Sequence, residues 1–140
     1  MLTNRRTIHI EWGDCDPAGI VYYPRFFEWF DECTAALFES AGLKKWELVR
    51  DRGIVIPMVD TRARFVLPSK FGDDVVVEST FARFGRSSFD VHHRMFKGSE
   101  LAAECFETRV WTRMEPHCAM KMKSEAIPPD VIENLSRSGN

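Results

Sequence analysis

Phe26-Phe27-Glu28-Trp29-Phe30-Asp31-Glu32-Cys33-Thr34-Ala35-Ala36-Leu37-Phe38-Glu39-Ser40-Ala41 is the stretch from which the architecture can be argued. Phe26, Phe30, Cys33, Leu37 and Ala41 recur at steps of three and four, and Phe27, Thr34 and Phe38 widen the same stripe. Glu28, Asp31, Glu32 and Glu39 lie largely off it. A stripe this broad predicts a helix packed on a sheet rather than a narrow coiled-coil seam. Gly42 follows as the residue that can close such a helix in a left-handed conformation. Sixteen residues would make a rod of about 24 Å, long enough to cross several strands.

Outward from this helix the pattern changes period. Before it, Thr7, His9 and Glu11 alternate with Ile8, Ile10 and Trp12, a short first strand with one apolar face. After it, Lys44–Arg52 reads as a short second helix stopped by Gly53. Ile54–Val66 is β-rich but broken by Pro57. Asp73-Asp74 opens a strand through Val75, Val76, Val77, Thr80 and Phe81. Phe84-Gly85-Arg86 turns into Ser87–Phe96, and Lys97-Gly98-Ser99-Glu100 is a hairpin turn. Leu101–Arg113 and Cys118–Met122 follow, then a short helix after Pro128-Pro129 and a frayed tail, Ser136–Asn140. Consecutive strands with short turns predict an antiparallel sheet. One long helix on such a sheet of five or six strands is an α+β layer fold, here a single domain over residues 1–140. The far face of the sheet would need cover, which self-association would supply.

Composition narrows the function. With 140 residues, 44% of them hydrophobic and 29% charged, the chain fits one soluble domain, and its 11 Phe point to an aromatic core or interface. A net charge of -2 argues against a nucleic-acid binder. No apolar run approaches a membrane span, and Met1–Glu11 has no continuous apolar core of a secretory leader. Cys15, Cys33, Cys105 and Cys118 are scattered, with no Cys-x-x-Cys and no His at zinc-ligand spacing, so no metal and a reduced, cytoplasmic setting are expected.

The chemistry-bearing residues concentrate ahead of the long helix. Asp14-Cys15-Asp16-Pro17-Ala18-Gly19 sets two carboxylates two residues apart before a segment able to start a helix. Asp16 reads as the N-cap of a Pro17 turn, or as a base or nucleophile aimed at a carbonyl held over free N–H groups. Asp14 reads as its support. Around Tyr22-Tyr23-Pro24, backbone N–H groups are either an oxyanion site or the plain lead-in to the helix. Asp31 is either a solvated helical residue or a polar contact reached from the helix face. Arg62, Arg64, Arg83, Arg86, His92, His93, Arg94, Arg109, Arg113, Lys121 and Lys123 decorate the strands, as a wet face does. Arg86-Ser87-Ser88 is the best local phosphate candidate, a cation and two hydroxyls at a strand start. His92 and His93 point to opposite faces and cannot readily share a metal. Cys15 reads as a small buried thiol.

Gly13-Asp14-Cys15-Asp16-Pro17-Ala18-Gly19-Ile20-Val21-Tyr22-Tyr23-Pro24 resembles the signature of the 4-hydroxybenzoyl-CoA thioesterase family of hotdog-fold enzymes. The resemblance continues through Trp29, Asp31, Gly42-Leu43, Trp46, Arg52-Gly53-Ile54-Val55, Phe65, Asp73-Asp74-Val75 and Ser88-Phe89. It implies a long helix wrapped by an antiparallel sheet, assembly as a homodimer or homotetramer, and hydrolysis of an acyl-CoA thioester to a carboxylate and free CoA. Asp16 matches the family's catalytic carboxylate, acting as nucleophile or general base, and the Tyr23 backbone N–H matches its oxyanion donor. Asp31 and Trp46 match the acyl end of the pocket, and Arg86 and Ser88 fall where the CoA phosphates are held. Coenzyme A would be part of the substrate, and no cofactor is implied. Two positions depart from the pattern. Ile56-Pro57 stands where the family's hydroxybenzoyl member has Thr-Pro, removing a hydroxyl near the acyl pocket, and Gly85-Arg86-Ser87-Ser88 replaces a denser basic cluster. With Asp31 and Trp46 retained, the acyl group the resemblance implies is an aromatic one, 4-hydroxybenzoyl or a relative of it. Two other uses of the fold compete. A non-catalytic acyl-CoA-binding module would not need a carboxylate beside an oxyanion site. An acyl-thioester dehydratase or hydratase would need a His base, and the long helix contains none.

Overall fold

The computed structural model describes residues 1–115 and 118–137, with backbone alone at 118–120. Residues 116–117 and the 138–140 end of the expected tail lie outside the described residues. The chain runs β1 (Thr3–His9), a 3₁₀ turn (Trp12–Asp14), α1 (Pro24–Ser40), α2 (Lys45–Glu47) and a π-helical turn (Leu48–Arg52). Then come β2 (Ile54–Val55), β3 (Met58–Phe65), β4 (Asp74–Phe84), β5 (Ser88–Lys97), β6 (Glu100–Val110), β7 (Thr112–Glu115), β8 (Cys118–Ser124) and α3 (Pro129–Leu135). Pro57 separates β2 from β3, as its missing N–H requires.

β1, β4, β5, β6 and β3, in that spatial order, form a five-stranded sheet, antiparallel at every junction. β2, β7 and β8 form a second, three-stranded sheet, because the chain breaks pairing at Trp111 instead of continuing one strand to Arg113. The α1 stripe packs on one face of the large sheet, and Phe30, Leu37 and Phe38 are completely buried there. Gly42 closes the helix at φ 77°, where a Cβ would be strained. This single long helix wrapped by an antiparallel sheet is the hotdog arrangement.

One local expectation fails. Pro17 does not begin a helix, and Asp16 is not a helix cap. Residues 17–19 form a turn, and α1 begins only at Pro24, whose fixed φ suits the first helical position.

The core is layered. One apolar cluster gathers Phe26, Phe30, Val75, Val77, Met95 and Cys105 around the first half of α1. Another gathers Leu37, Phe38, Phe81, Phe89, Val91 and Trp111 around its second half and α3. Between them lie Thr34, Ser79, His93 and Glu107, all at most 1% exposed. Thr34, Ser79 and His93 each stand between members of the two clusters on their own element, and Glu107 follows Cys105 on β6.

The outer face of the sheet is not the apolar surface that a need for cover implies. Register aligns Arg5, Glu78, Arg94, Glu104 and Arg64 in one row across all five strands, alternating in sign. Arg5 and Arg94 both pair with Glu78, and Arg64 approaches Glu104 at 3.5 Å. Such a ladder is at ease in water. The apolar exposure lies instead along β3, an edge strand exposed at seven of its eight positions, with Met58, Val59 and Phe65 open to solvent.

Candidate active site

The loop that carries Asp16 is pinned on both sides. Cys15 and Val21 form an isolated antiparallel bridge, and the Asp16 N–H donates to the Ile20 carbonyl at 2.9 Å. Gly19, at φ 82°, donates to the Asp16 carbonyl at 2.9 Å. The Ala18 N–H donates to Asp16 Oδ1 at 2.8 Å, an Asx turn that orients the carboxylate and leaves Oδ2 without a protein partner among the described residues. Asp14 braces the loop. Its Oδ2 accepts the Glu11 N–H at 2.9 Å, its Oδ1 lies 3.7 Å from Arg25 Nε, and its carbonyl accepts the Tyr22 N–H at 2.8 Å.

Tyr23 is the residue before α1, and its own backbone is already helical. Pro24 has no N–H, and those of Arg25 and Phe26 are turned back to the carbonyls of Tyr22 and Tyr23. The Tyr23 N–H meets no acceptor among the described residues. It sits at the positive end of a 17-residue helix, where the aligned peptide dipoles favour negative charge. A cleft of about 300 Å³ opens beside it, walled by Ile20, Val21, Tyr23, Phe26, Phe65 and Leu67. Ser69, only 1% exposed, also borders this cleft, and its hydroxyl has no hydrogen-bond partner among the described residues.

A second group of expected site residues gathers along the same helix. Asp31 Oδ1 accepts Arg109 Nη2 at 2.8 Å and lies 3.5 Å from Lys45 Nζ, while the side chain stays about half exposed. Trp46 is exposed beside Lys45, with the Arg50 guanidinium 4.5 Å over its ring. Ile56 joins this group only through its backbone, because its side chain is 2% exposed in the core while its carbonyl accepts Arg109 Nη1 at 3.2 Å.

Arg86 and Ser88 stand apart, at the β4–β5 turn. β4 runs from the Asp74 end, beside β1 and the Asp16 loop, to Phe84. Ten residue steps at strand rise separate those ends by about 33 Å. Arg86 is exposed and makes no ion pair among the described residues. Ser88 is engaged by Arg83 Nη2 at 3.0 Å, and Arg83 also pairs with Asp90. Gly85 makes this possible, since a Cβ there would meet Ser88 Oγ at 2.9 Å and Arg83 Nη1 at 2.8 Å.

Arg109, counted above with the wet strand face, is instead on the buried one and 2% exposed. Its Nε donates to Glu107 Oε1 at 2.9 Å. Thr34 Oγ1 also donates to that oxygen, at 2.7 Å. His93 Nε2 lies 3.2 Å from Glu107 Oε2 without an aligned hydrogen bond between them, and its Nδ1 lies 2.7 Å from Ser79 Oγ. Burial alone would raise the Glu107 carboxyl, but His93 and then Arg109 outweigh it and hold it down at about 2. The available signal was a pair of charges, Glu107 and Arg109, falling two apart on the face of β6 that also carries Ala103 and Cys105. His93 is sealed from solvent, and His9 is tied to Asp74 at 2.7 Å.

A carboxylate with one free oxygen thus shares a pinned loop with the free N–H of a helix start, beside an apolar cleft. That suits attack on, or water delivery to, a carbonyl whose oxygen rests on the N–H.

The model of the thioesterase-like superfamily matches residues 10–135. The 4-hydroxybenzoyl-CoA thioesterase of Pseudomonas sp. (strain CBS-3) is 32% identical over 134 residues, covering 91% of this chain and 93% of that protein. The 1,4-dihydroxy-2-naphthoyl-CoA hydrolase of Synechococcus sp. (strain WH7803) is 33% identical over 136 residues, covering 91% and 84%. Among solved structures, a variant 4-hydroxybenzoyl CoA thioesterase complexed with 4-hydroxybenzoyl CoA superposes with a TM-score of 0.88 at 31% identity, over 97% of this chain and 100% of that one. A gentisyl-coenzyme A thioesterase superposes with a TM-score of 0.81 at 28% identity, over 96% and 100%.

Proposed function

The chain belongs to the thioesterase-like superfamily, and we propose that it is an acyl-CoA thioesterase that hydrolyses an aromatic acyl-CoA to the carboxylate and free CoA. The observation that carries this reading is the free Tyr23 N–H at the start of α1, on the same pinned loop as the half-free carboxylate of Asp16. The thioester oxygen rests on the Tyr23 N–H. Asp16 Oδ2 either attacks the carbonyl carbon, giving a mixed anhydride that water then opens, or takes a proton from the attacking water. CoA leaves as the thiolate in both routes. The reaction calls for no cofactor, coenzyme A being part of the substrate.

The helix geometry favours an aromatic acyl group. Eight residues separate Tyr23 from Asp31, an axial rise of about 12 Å. The Asp31 side chain tilts back toward the helix start, and a hydrogen bond to the Tyr23 N–H takes up about 3 Å. The remaining gap fits a ring whose far substituent meets Asp31, with Trp46 alongside. Arg86, exposed and unpaired among the described residues, would hold a CoA phosphate.

The reading includes a homodimer or homotetramer. The exposed β3 edge invites pairing with a second β3. An antiparallel pair brings the Arg86 end of one protomer beside the Asp16 end of the other, supplying in two chains what about 33 Å separates in one. A reduced, cytoplasmic setting is supported by Cys15, Cys33 and Cys105 as free thiols, the last two pushed up by burial to about 11.

The test is free-thiol release across benzoyl-, hydroxybenzoyl-, phenylacetyl- and straight-chain acyl-CoA esters. Turnover is expected with the aroyl esters first. Tight binding of all of them with no thiol released would overturn hydrolysis in favour of a binding module.

A further inference from the structure

The buried layer between the two core clusters contains a carboxylate and a guanidinium at 1% and 2% exposure. Charges withdrawn from water carry a large desolvation cost, and apolar replacements of the same volume often do as well or better. Stability alone is therefore a poor account of this layer. Its one outlet is specific. Arg109 is fixed by Glu107 Oε1 at Nε and by the Ile56 carbonyl at Nη1, and its remaining Nη2 reaches out to Asp31 Oδ1. Glu107 is in turn held by Thr34 of α1 and faces His93, itself bonded to Ser79 of β4. Asp31 is thus gripped by a group anchored in helix and sheet at once. Only its Oδ1 is engaged among the described residues, and Oδ2 is left on a half-exposed side chain close to Lys45.

We propose that Arg109 is a positioning residue for acyl-group selection. Backed by Glu107, it locks the Asp31 carboxylate in one orientation, so that Oδ2 accepts a hydrogen bond from a ring hydroxyl of the acyl group. This rests on the thioesterase reading for the location of the acyl group. A solvated Asp on a helix samples several rotamers and would discriminate weakly. A carboxylate held from behind by a buried guanidinium presents one acceptor and leaves it unpaired when the ring has no donor.

The experiment compares 4-hydroxybenzoyl-CoA with benzoyl-CoA in the wild type, in Asp31→Asn, in Arg109→Lys and in the double variant Glu107→Leu with Arg109→Met. The double variant removes both buried charges together and so avoids stranding one of them, and thermal melts check that each protein is folded. The wild type is expected to prefer the hydroxylated ester about tenfold or more in kcat/KM. Asp31→Asn and the double variant lose that preference, chiefly through a raised KM for the hydroxylated ester. Arg109→Lys retains part of it. Folded variants that keep the preference, or that lose both esters equally, overturn the positioning role. The same two rings presented as non-hydrolysable thioethers of CoA give the preference by calorimetry, independent of turnover. A wild type that binds with the preference but releases no thiol overturns hydrolysis alone.

Discussion

Asp16 carries the sharpest expectation at the scale of single residues. Its Oδ1 is occupied by the Ala18 N–H, and only Oδ2 faces chemistry. Asn keeps an Oδ1 acceptor and so preserves the Asx turn, while its amide nitrogen is neither nucleophile nor base. Asp16→Asn should therefore fold as the wild type does by circular dichroism and thermal melt, yet lose about 100-fold or more in kcat. Retention of full activity would remove Asp16 from the chemistry. The residues around it show what a sequence can and cannot disclose. Asp14 and Asp16 are conspicuous because two carboxylates flank Cys15 immediately before a Pro. The helix-cap reading of Asp16 was nonetheless wrong, because the same side-chain oxygen that caps a helix also closes a three-residue turn, and only the position of α1 distinguishes them. Arg109 was misread for a related reason: a charged residue on a strand has no mark in its own identity of which face it occupies.

At the scale of elements, that face is set by register, and register was partly visible. Cys105, Glu107 and Arg109 alternate with Phe106 and Thr108, so any reading that buries Cys105 buries the two charges with it. What sequence could not supply is the partner of each. His93, Thr34 and Asp31 come from β5 and α1, and only packing brings them to β6. α1 itself was legible to within two residues at each end because its stripe has a single periodicity and Gly42 has a single use. The buried layer that α1 shares with the sheet also has a signature in acid. Glu107 is held at about 2 against an ordinary 4.5, so the unfolded chain binds a proton there that the folded chain does not. The stability it contributes is complete above about pH 4.5 and is lost as pH falls toward 2. Glu107→Gln should cost about 3–5 kcal/mol at neutral pH, since it strands Arg109 in the core. Thermal melts from neutral pH downward should show the gap between variant and wild type narrowing across that acid interval. A gap that stays constant would mean that Glu107 ionises as an ordinary carboxylate.

At the scale of the molecule, the proposed site draws on both ends of the large sheet. The Asp16 loop and the Arg86 turn lie toward opposite ends of β4, a strand about 33 Å long, and β3 offers an exposed apolar edge between them. Pairing two β3 edges antiparallel creates two equivalent sites, each taking Asp16 from one protomer and Arg86 from the other. That arrangement predicts an outcome that no single-chain site allows. Asp16→Asn is inactive, and Arg86→Ala, which loses a charge-assisted contact, falls about tenfold or more at substrate concentrations below KM. When the two variants are unfolded together and refolded as a mixture, half of the dimers are mixed. In each mixed dimer both lesions fall in one site and the other site is intact. Activity should therefore return to about a quarter of the wild-type value, with sedimentation velocity reporting dimers or larger species throughout. If Asp16 and Arg86 served the same site from the same chain, every protomer in the mixture would carry one lesion or the other, and mixing would restore nothing.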